Sequence, residues 1–165
     1  MESLGYFFLD LAFVPRSWVD QQTKPIKLEP DDYRSPSAIW WRHHECALDV
    51  REFCDKVWVR CDPTGYYLRE DLIETSWSDD NNHRVEIIKD DLGHLVELTV
   101  SIDIRTQYSE FVDAIIEMAG QADCVFFNYG DEAVVEPSRD IVIKAIQQHE
   151  MTHAVFDSSG KWAPN

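Results

Sequence analysis

Basic side chains are scarce in this chain: 15 Lys and Arg stand against 31 Asp and Glu, a formal net charge of -16. A surface of that sign repels nucleic acid and anionic lipid, because phosphates meet a field of their own sign. No basic patch interleaved with aromatics exists, which removes the usual nucleic-acid footprint. Long apolar runs are missing too. "GYFFLDLAFV" (5–14) is interrupted by Asp10, and no segment approaches the ~20 apolar residues of a membrane span. Met1-Glu2-Ser3 carries no positive leader region, so a cytoplasmic location is expected. Cys46, Cys54, Cys61 and Cys124 show no C-x-x-C spacing, which argues for reduced thiols over a zinc ribbon. There is no G-x-S-x-G, no P-loop, no dinucleotide fingerprint, no internal repeat and no low-complexity tract.

What remains is a core-forming chain. A length of 165 residues and a hydrophobic fraction of 44% suit a single domain, 1–165, that needs no disulfide or metal staple. Six Trp, six Tyr and eight Phe are too many for a solvated acidic tail.

Periodicity predicts an α+β fold. "GYFFLDLAFV" reads as a buried strand. Residues 15–37 hold four prolines and read as a long covering loop. A helix is expected over 38–54, although Trp40-Trp41 and His43-His44 blur its period. "KVWVRCD" (56–62) alternates, and "YYLREDLIETSW" (66–77) fits strand or helix. "RVEIIKD" (84–90) and "HLVELTVSIDIR" (94–105) flank the hairpin turn Asp91-Leu92-Gly93. Val96, Leu98, Val100, Ile102 and Ile104 fall on one face of the second strand. Glu97, Thr99, Ser101 and Asp103 fall on the other, a pattern of an antiparallel sheet with one face wet or lightly covered. A helix at 108–120, with a stripe of Phe111, Val112, Ile115, Met118 and Ala119, leads into the unbroken apolar run 123–129. That unit implies a right-handed crossover. A last helix runs from about 138 to 156. The expectation is a mostly antiparallel sheet of about five strands with two or three packed helices.

The last helix contains His149-Glu150-Met151-Thr152-His153. On a helix, H-E-x-x-H places two imidazoles one turn apart around zinc, with the glutamate as general base. This makes His149 and His153 candidate metal ligands and Glu150 a candidate catalytic residue of a zinc-dependent metallopeptidase. Against it, Val142, Ala145, Ile146, His149, His153 and Phe156 share one arc, so the histidines also fit a packed core face. A third ligand is not evident: no glutamate follows Glu150, and Asp157 is the one downstream carboxylate. The packing reading is preferred, with no cofactor and no catalysis. His43-His44-Glu45-Cys46 offers ligand types whose side chains diverge on a helix. Asp103 and Arg105 end the long strand and read as a surface ion pair.

The remaining signal is distributed. Acidic residues gather in the expected loops: Glu29, Asp31 and Asp32; Asp79 and Asp80; Asp90 and Asp91; Asp131 and Glu132. Tyr33, Trp77 and Tyr129 accompany them. Charge that speeds encounter, together with aromatic anchors that hold the contact, is what a binder of a basic protein surface needs. Asp79, Asp80, Asp90, Asp91, Asp131, Glu132, Trp77 and Tyr129 are therefore the candidate partner-binding residues. Two of the acidic loops can share one rim of the sheet.

"VELTVSIDIR" leading into a helix, then "DCVFFNYGDEAVVEPSRDIVIKAIQQHEMTHAVF" as strand, acidic loop, Pro and closing helix, gives residues 84–157 a general pattern. In it the chain resembles small acidic bacterial immunity proteins, which neutralise a cognate toxin delivered by a neighbouring cell. The resemblance implies a cytoplasmic, non-enzymatic protein whose partner is a protein toxin with a basic interface, and no nucleic acid or membrane. Another acidic regulatory module, including a mimic of nucleic acid, stands as the alternative binding class.

Overall fold

From Leu11 to Val14 the first strand is apolar on both faces, and every one of those residues is fully buried. A strand with no face to show to water belongs in the middle of a covered sheet. In the computed structural model, which describes residues 7–26, 37–62 and 70–154 (backbone alone at 37–38 and 151–154), that is where it lies. β1 (Phe8–Pro15) is the fifth of seven strands. The others are β2 (Val59–Cys61), β3 (Leu72–Ser78), β4 (Arg84–Asp90), β5 (Leu95–Asp103), β6 (Cys124–Asn128) and β7 (Ala133–Val135). The order is β2-β3-β4-β5-β1-β6-β7, and every neighbouring pair is antiparallel.

β1 pairs with β5 from Phe8↔Asp103 to Ala12↔Thr99, and with β6 from Leu11↔Asn128 to Pro15↔Cys124. Both partners run against β1, so β5 and β6 are parallel to each other with β1 between them. Helix α4 (Ser109–Ala122) makes the crossover, burying Phe111, Val112, Ile115, Met118, Ala119 and Ala122. It stops at Asp123, whose left-handed φ of 52° receives the helix end. The closing helix α5 (Arg139–Ala154) packs against α4 and β7. No helix among the described residues is long and apolar enough to cross a membrane.

The class and the hairpin stand as expected. In β5, Leu98, Val100 and Ile102 are buried, whereas Glu97, Thr99 and Ser101 on the other face are half-buried. The turn between β4 and β5 closes on Gly93 at φ 82°, a conformation that a residue without Cβ adopts freely. The element count is larger: seven strands and five helices among the described residues. β7 escapes a pattern reading because it is three residues long, with Ala133 and Val134 exposed at a sheet edge. The stretch 66–77 yields β3 as its described part. The loop expected over 15–37 begins instead with the single-turn helix α1 (Arg16–Asp20), and 27–36 lies outside the described residues.

The helix expected over 38–54 is two helices, α2 (Ser37–Trp41) and α3 (Val50–Val57). Asp49 divides them, because its carboxylate accepts the Glu52 amide N–H and starts a new helix. α2 ends on adjacent tryptophans that are both buried. Trp40 meets Trp18, Phe127 and Tyr129. The Trp41 indole N–H donates to the Phe13 carbonyl at 3.2 Å, beyond the end of the β5 pairing. α2 thus fills the place where β1 leaves β5 for β6.

At the other end of the sheet the β3–β4 turn is tied to the end of β5. His83 is fully buried, with its ring 4.8 Å from that of Phe111. Its Nδ1 accepts the Asp103 amide N–H at 3.0 Å, and its Nε2 donates to the Gln107 carbonyl at 2.6 Å. These two bonds require the neutral tautomer with the proton on Nε2. Replacing the ring with an apolar one, His83→Phe, strands the buried Asp103 N–H and removes the Gln107 carbonyl's donor. We expect a loss of about 2–4 kcal/mol in urea unfolding. A loss under half a kcal/mol would mean the two bonds contribute nothing net.

Candidate functional site

The polar face of β3, β4, β5 and β1 gathers carboxylates in register. Across the strands the first row is Glu74, Ile88 and Glu97; the second is Ser76, Glu86, Thr99 and Ala12; the third is Ser78, Arg84, Ser101 and Asp10. Directly opposite and diagonal residues on one sheet face lie within ~8 Å of each other, close enough for charges to interact. Four carboxylates therefore share a face on which Arg84 is the one guanidinium among the described residues of these rows. Arg84 bonds Glu86 at 2.6 Å and the Asp62 carbonyl at 2.5 Å. The Asp10 carboxylate accepts from the Ser101 hydroxyl at 2.6 Å.

The protonation equilibria register this crowding. Burial, and then the charges of Glu86 and Glu74, push the Glu97 carboxyl up to about 7. Burial and the charge of Glu74 raise Glu86 as well, against the pull of Arg84. A face that holds its carboxylates at such cost to their ionisation is one that an arriving cation relieves.

Several residues singled out in the sequence serve the fold instead. Trp77 is fully buried, so it is a core side chain and not an exposed anchor. Its indole N–H donates to Asp55 at 2.9 Å, and Arg60 holds the same carboxylate with two bonds of 2.8 and 2.9 Å. The Arg60 guanidinium and the Trp77 N–H keep the Asp55 carboxyl well below the usual range. Asp79 accepts the Asn81 and His83 amide N–H groups, and Asp90 accepts those of Leu92 and His94. These aspartates build their turns, as short carboxylates do. Asp131 accepts from the Asn128 side-chain amide at 3.3 Å. Tyr129 is half-buried in the Trp40–Phe127 cluster. Asp80 and Asp91 are exposed at their turns, and Glu132 is half-buried at a left-handed φ of 49°. Glu29, Asp31, Asp32 and Tyr33 lie outside the described residues.

Strand direction sorts the loops. The β3–β4 turn with Asp79 and Asp80 and the β6–β7 turn with Asp131 and Glu132 lie at one end of the sheet. Asp90 and Asp91 lie at the other. Two of the three expected loops thus share a rim.

Asp103 and Arg105 form an ion pair that is more than a surface contact. Asp103 is 2% exposed and takes two guanidinium bonds of 2.9 and 2.8 Å, with Asn82 adding a third donor. The Arg105 guanidinium lies over the Phe7 ring at 4.5 Å. On α5, Val142 and Ile146 are fully buried and His149 follows them half-buried on the same stripe. Burial raises the half-buried Glu150 carboxyl. The His153 side chain lies outside the described residues. Among those described, no three His, Cys, Asp or Glu residues form a group that could hold a metal ion. Of the cysteines, Cys54 and Cys124 are buried and Cys46 and Cys61 half-buried, all as free thiols. Burial pushes Cys54 up to about 12.

Alternation alone placed Glu97 on the wet face, but its convergence with Glu74 and Glu86 needs the strand order and register. Because folding raises its pKa, the folded state holds the Glu97 proton more tightly than the unfolded chain does. Its charge therefore costs stability progressively as pH climbs from the ordinary 4.5 through about 7, and the cost is complete above that. Glu97→Gln should unfold at higher urea than the parent at pH 8, by about 1–3 kcal/mol, and match it near pH 4. An equal shift at both pH values would show that shared charge is not the cause. No protein-family model matches the chain, and comparison with curated proteins and with solved structures likewise finds no match.

Proposed function

We propose that the chain is a non-enzymatic acidic binding protein, acting as an immunity protein that occupies a basic interface of a cognate toxin. The observation that supports this reading best is the cluster of Glu74, Glu86 and Glu97 in two neighbouring rows of one sheet face, in a protein of net charge -16. Lysines and arginines of a partner, brought onto that face, neutralise charges that now repel one another. Glu97 then gives up its proton, so association releases protons near neutral pH and tightens as pH rises from 6 to 8. Rim charges at Asp80, Asp131 and Glu132 add a field that steers the encounter.

The decisive experiment is growth rescue. A toxin encoded beside this gene is expressed in a susceptible host, with and without this chain. Restored growth, together with a salt-sensitive complex of the two purified proteins, supports the reading. Failure of every neighbouring product to arrest growth, or arrest that this chain does not relieve, sinks it. Within such a complex, reversing Asp80, Asp131 and Glu132 to lysine should slow association about tenfold or more at low salt and change dissociation less. An untouched on-rate would leave the rim with no part in binding.

A further inference from the structure

A groove of about 790 Å³ opens where the connection between α2 and α3 faces the β4–β5 turn. That volume is in the range of small-molecule sites, ~300–1,000 Å³. Arg42, His43 and His44 line it from the connection, and Lys89 and His94 from the hairpin. In a chain with twice as many acids as bases, cations find partners readily. Arg16, Arg60, Arg84, Arg105 and Arg139 each hold a carboxylate, on Glu136, Asp55, Glu86, Asp103 and Asp113. Arg42 and Lys89, like Lys24, Arg51 and Lys144, make no ion pair among the described residues, and these two line one concavity.

The groove's own carboxylates are mostly committed. Asp49 accepts the Glu52 amide N–H, and Asp90 accepts two backbone N–H groups and the His94 Nδ1–H at 3.3 Å. Glu45 is the exception, exposed on the same connection. Lys89 from the hairpin and Arg42 from the connection both line the groove. A planar guanidinium fork and a point-charge ammonium on two sides of a concavity match an oxyanion with two charges.

We propose that this groove binds a small phosphate monoester, or free phosphate, through the Arg42 guanidinium and the Lys89 ammonium. The site is separate from the carboxylate face and stands or falls independently of the toxin-binding reading. The protein's overall charge opposes such a ligand at long range, but at physiological salt the opposing field is screened beyond ~8 Å.

The test is a titration of the full chain followed by amide NMR, with inorganic phosphate and phenyl phosphate as probes and sodium chloride matched for ionic strength. Saturable shifts confined to 42–49 and 89–95 are expected with either probe. Tighter binding of phenyl phosphate assigns the groove to an organic monoester, and equal or weaker binding assigns it to free phosphate. The double variant Arg42→Ala/Lys89→Ala should weaken the bound probe about tenfold or more, whereas Arg51→Ala, a cation outside the groove, should leave it unchanged. Shifts reproduced by chloride, or binding that survives the double variant, would overturn the proposal. Both groups sit at the surface of the groove, and a urea midpoint equal to the parent's checks that the variant is folded.

Discussion

Everything in this sheet depends on β1 satisfying two neighbours that do not coincide. Its first half bonds β5, its second half bonds β6, and the overlap is only Leu11 and Ala12. A strand in that position must be apolar on both faces where it is covered twice, which Leu11 through Val14 achieve. It also leaves backbone groups exposed wherever one partner departs. The Trp41 indole bond to the Phe13 carbonyl and the packing of Trp40 on Phe127 answer that need. The paired tryptophans of α2 act as a plug between diverging strands.

The same economy explains the excess of acid. Many aspartates are spent on architecture: Asp49 starts a helix, Asp79 and Asp90 shape hairpin turns, Asp55 and Asp103 anchor guanidinium groups. Other carboxylates gather on the face of β3, β4 and β5 and on the rim of the β6–β7 turn. Interface charge and turn chemistry use the same residue types, so the two are told apart only by counting the hydrogen bonds each carboxylate already accepts.

This also marks how far the amino-acid sequence could be read. Period-two alternation identified β5 and its two faces, and a turn with glycine at the left-handed position identified the hairpin. The stripe of α4 needed only its spacing. Trp77 was misplaced because an aromatic beside two aspartates looks like an anchor, when it is a core side chain whose partner is Asp55, 22 positions earlier in the chain. The carboxylate rows were half legible: Glu97 was on the wet face, but register across three strands is a property of pairing and not of any one segment. His83 gave no signal at all, since its two bonds run to backbone groups at Asp103 and Gln107 that only the folded end of β5 brings near.

The placement of β1 sets the order in which the chain can fold. The strand begins at Phe8, yet the segments that pair with it are Leu95–Asp103 and Cys124–Asn128. The hairpin of β4 and β5 can close on its own as soon as it is made, whereas the sheet's centre must wait until most of the polypeptide has emerged. Pairings of such sequence separation are slow, because loop closure is paid for before contacts reward it. Until then an apolar strand stands without its neighbours, a species prone to self-association. The high negative charge then has a further use: growing chains that repel one another have time for the last strand to arrive.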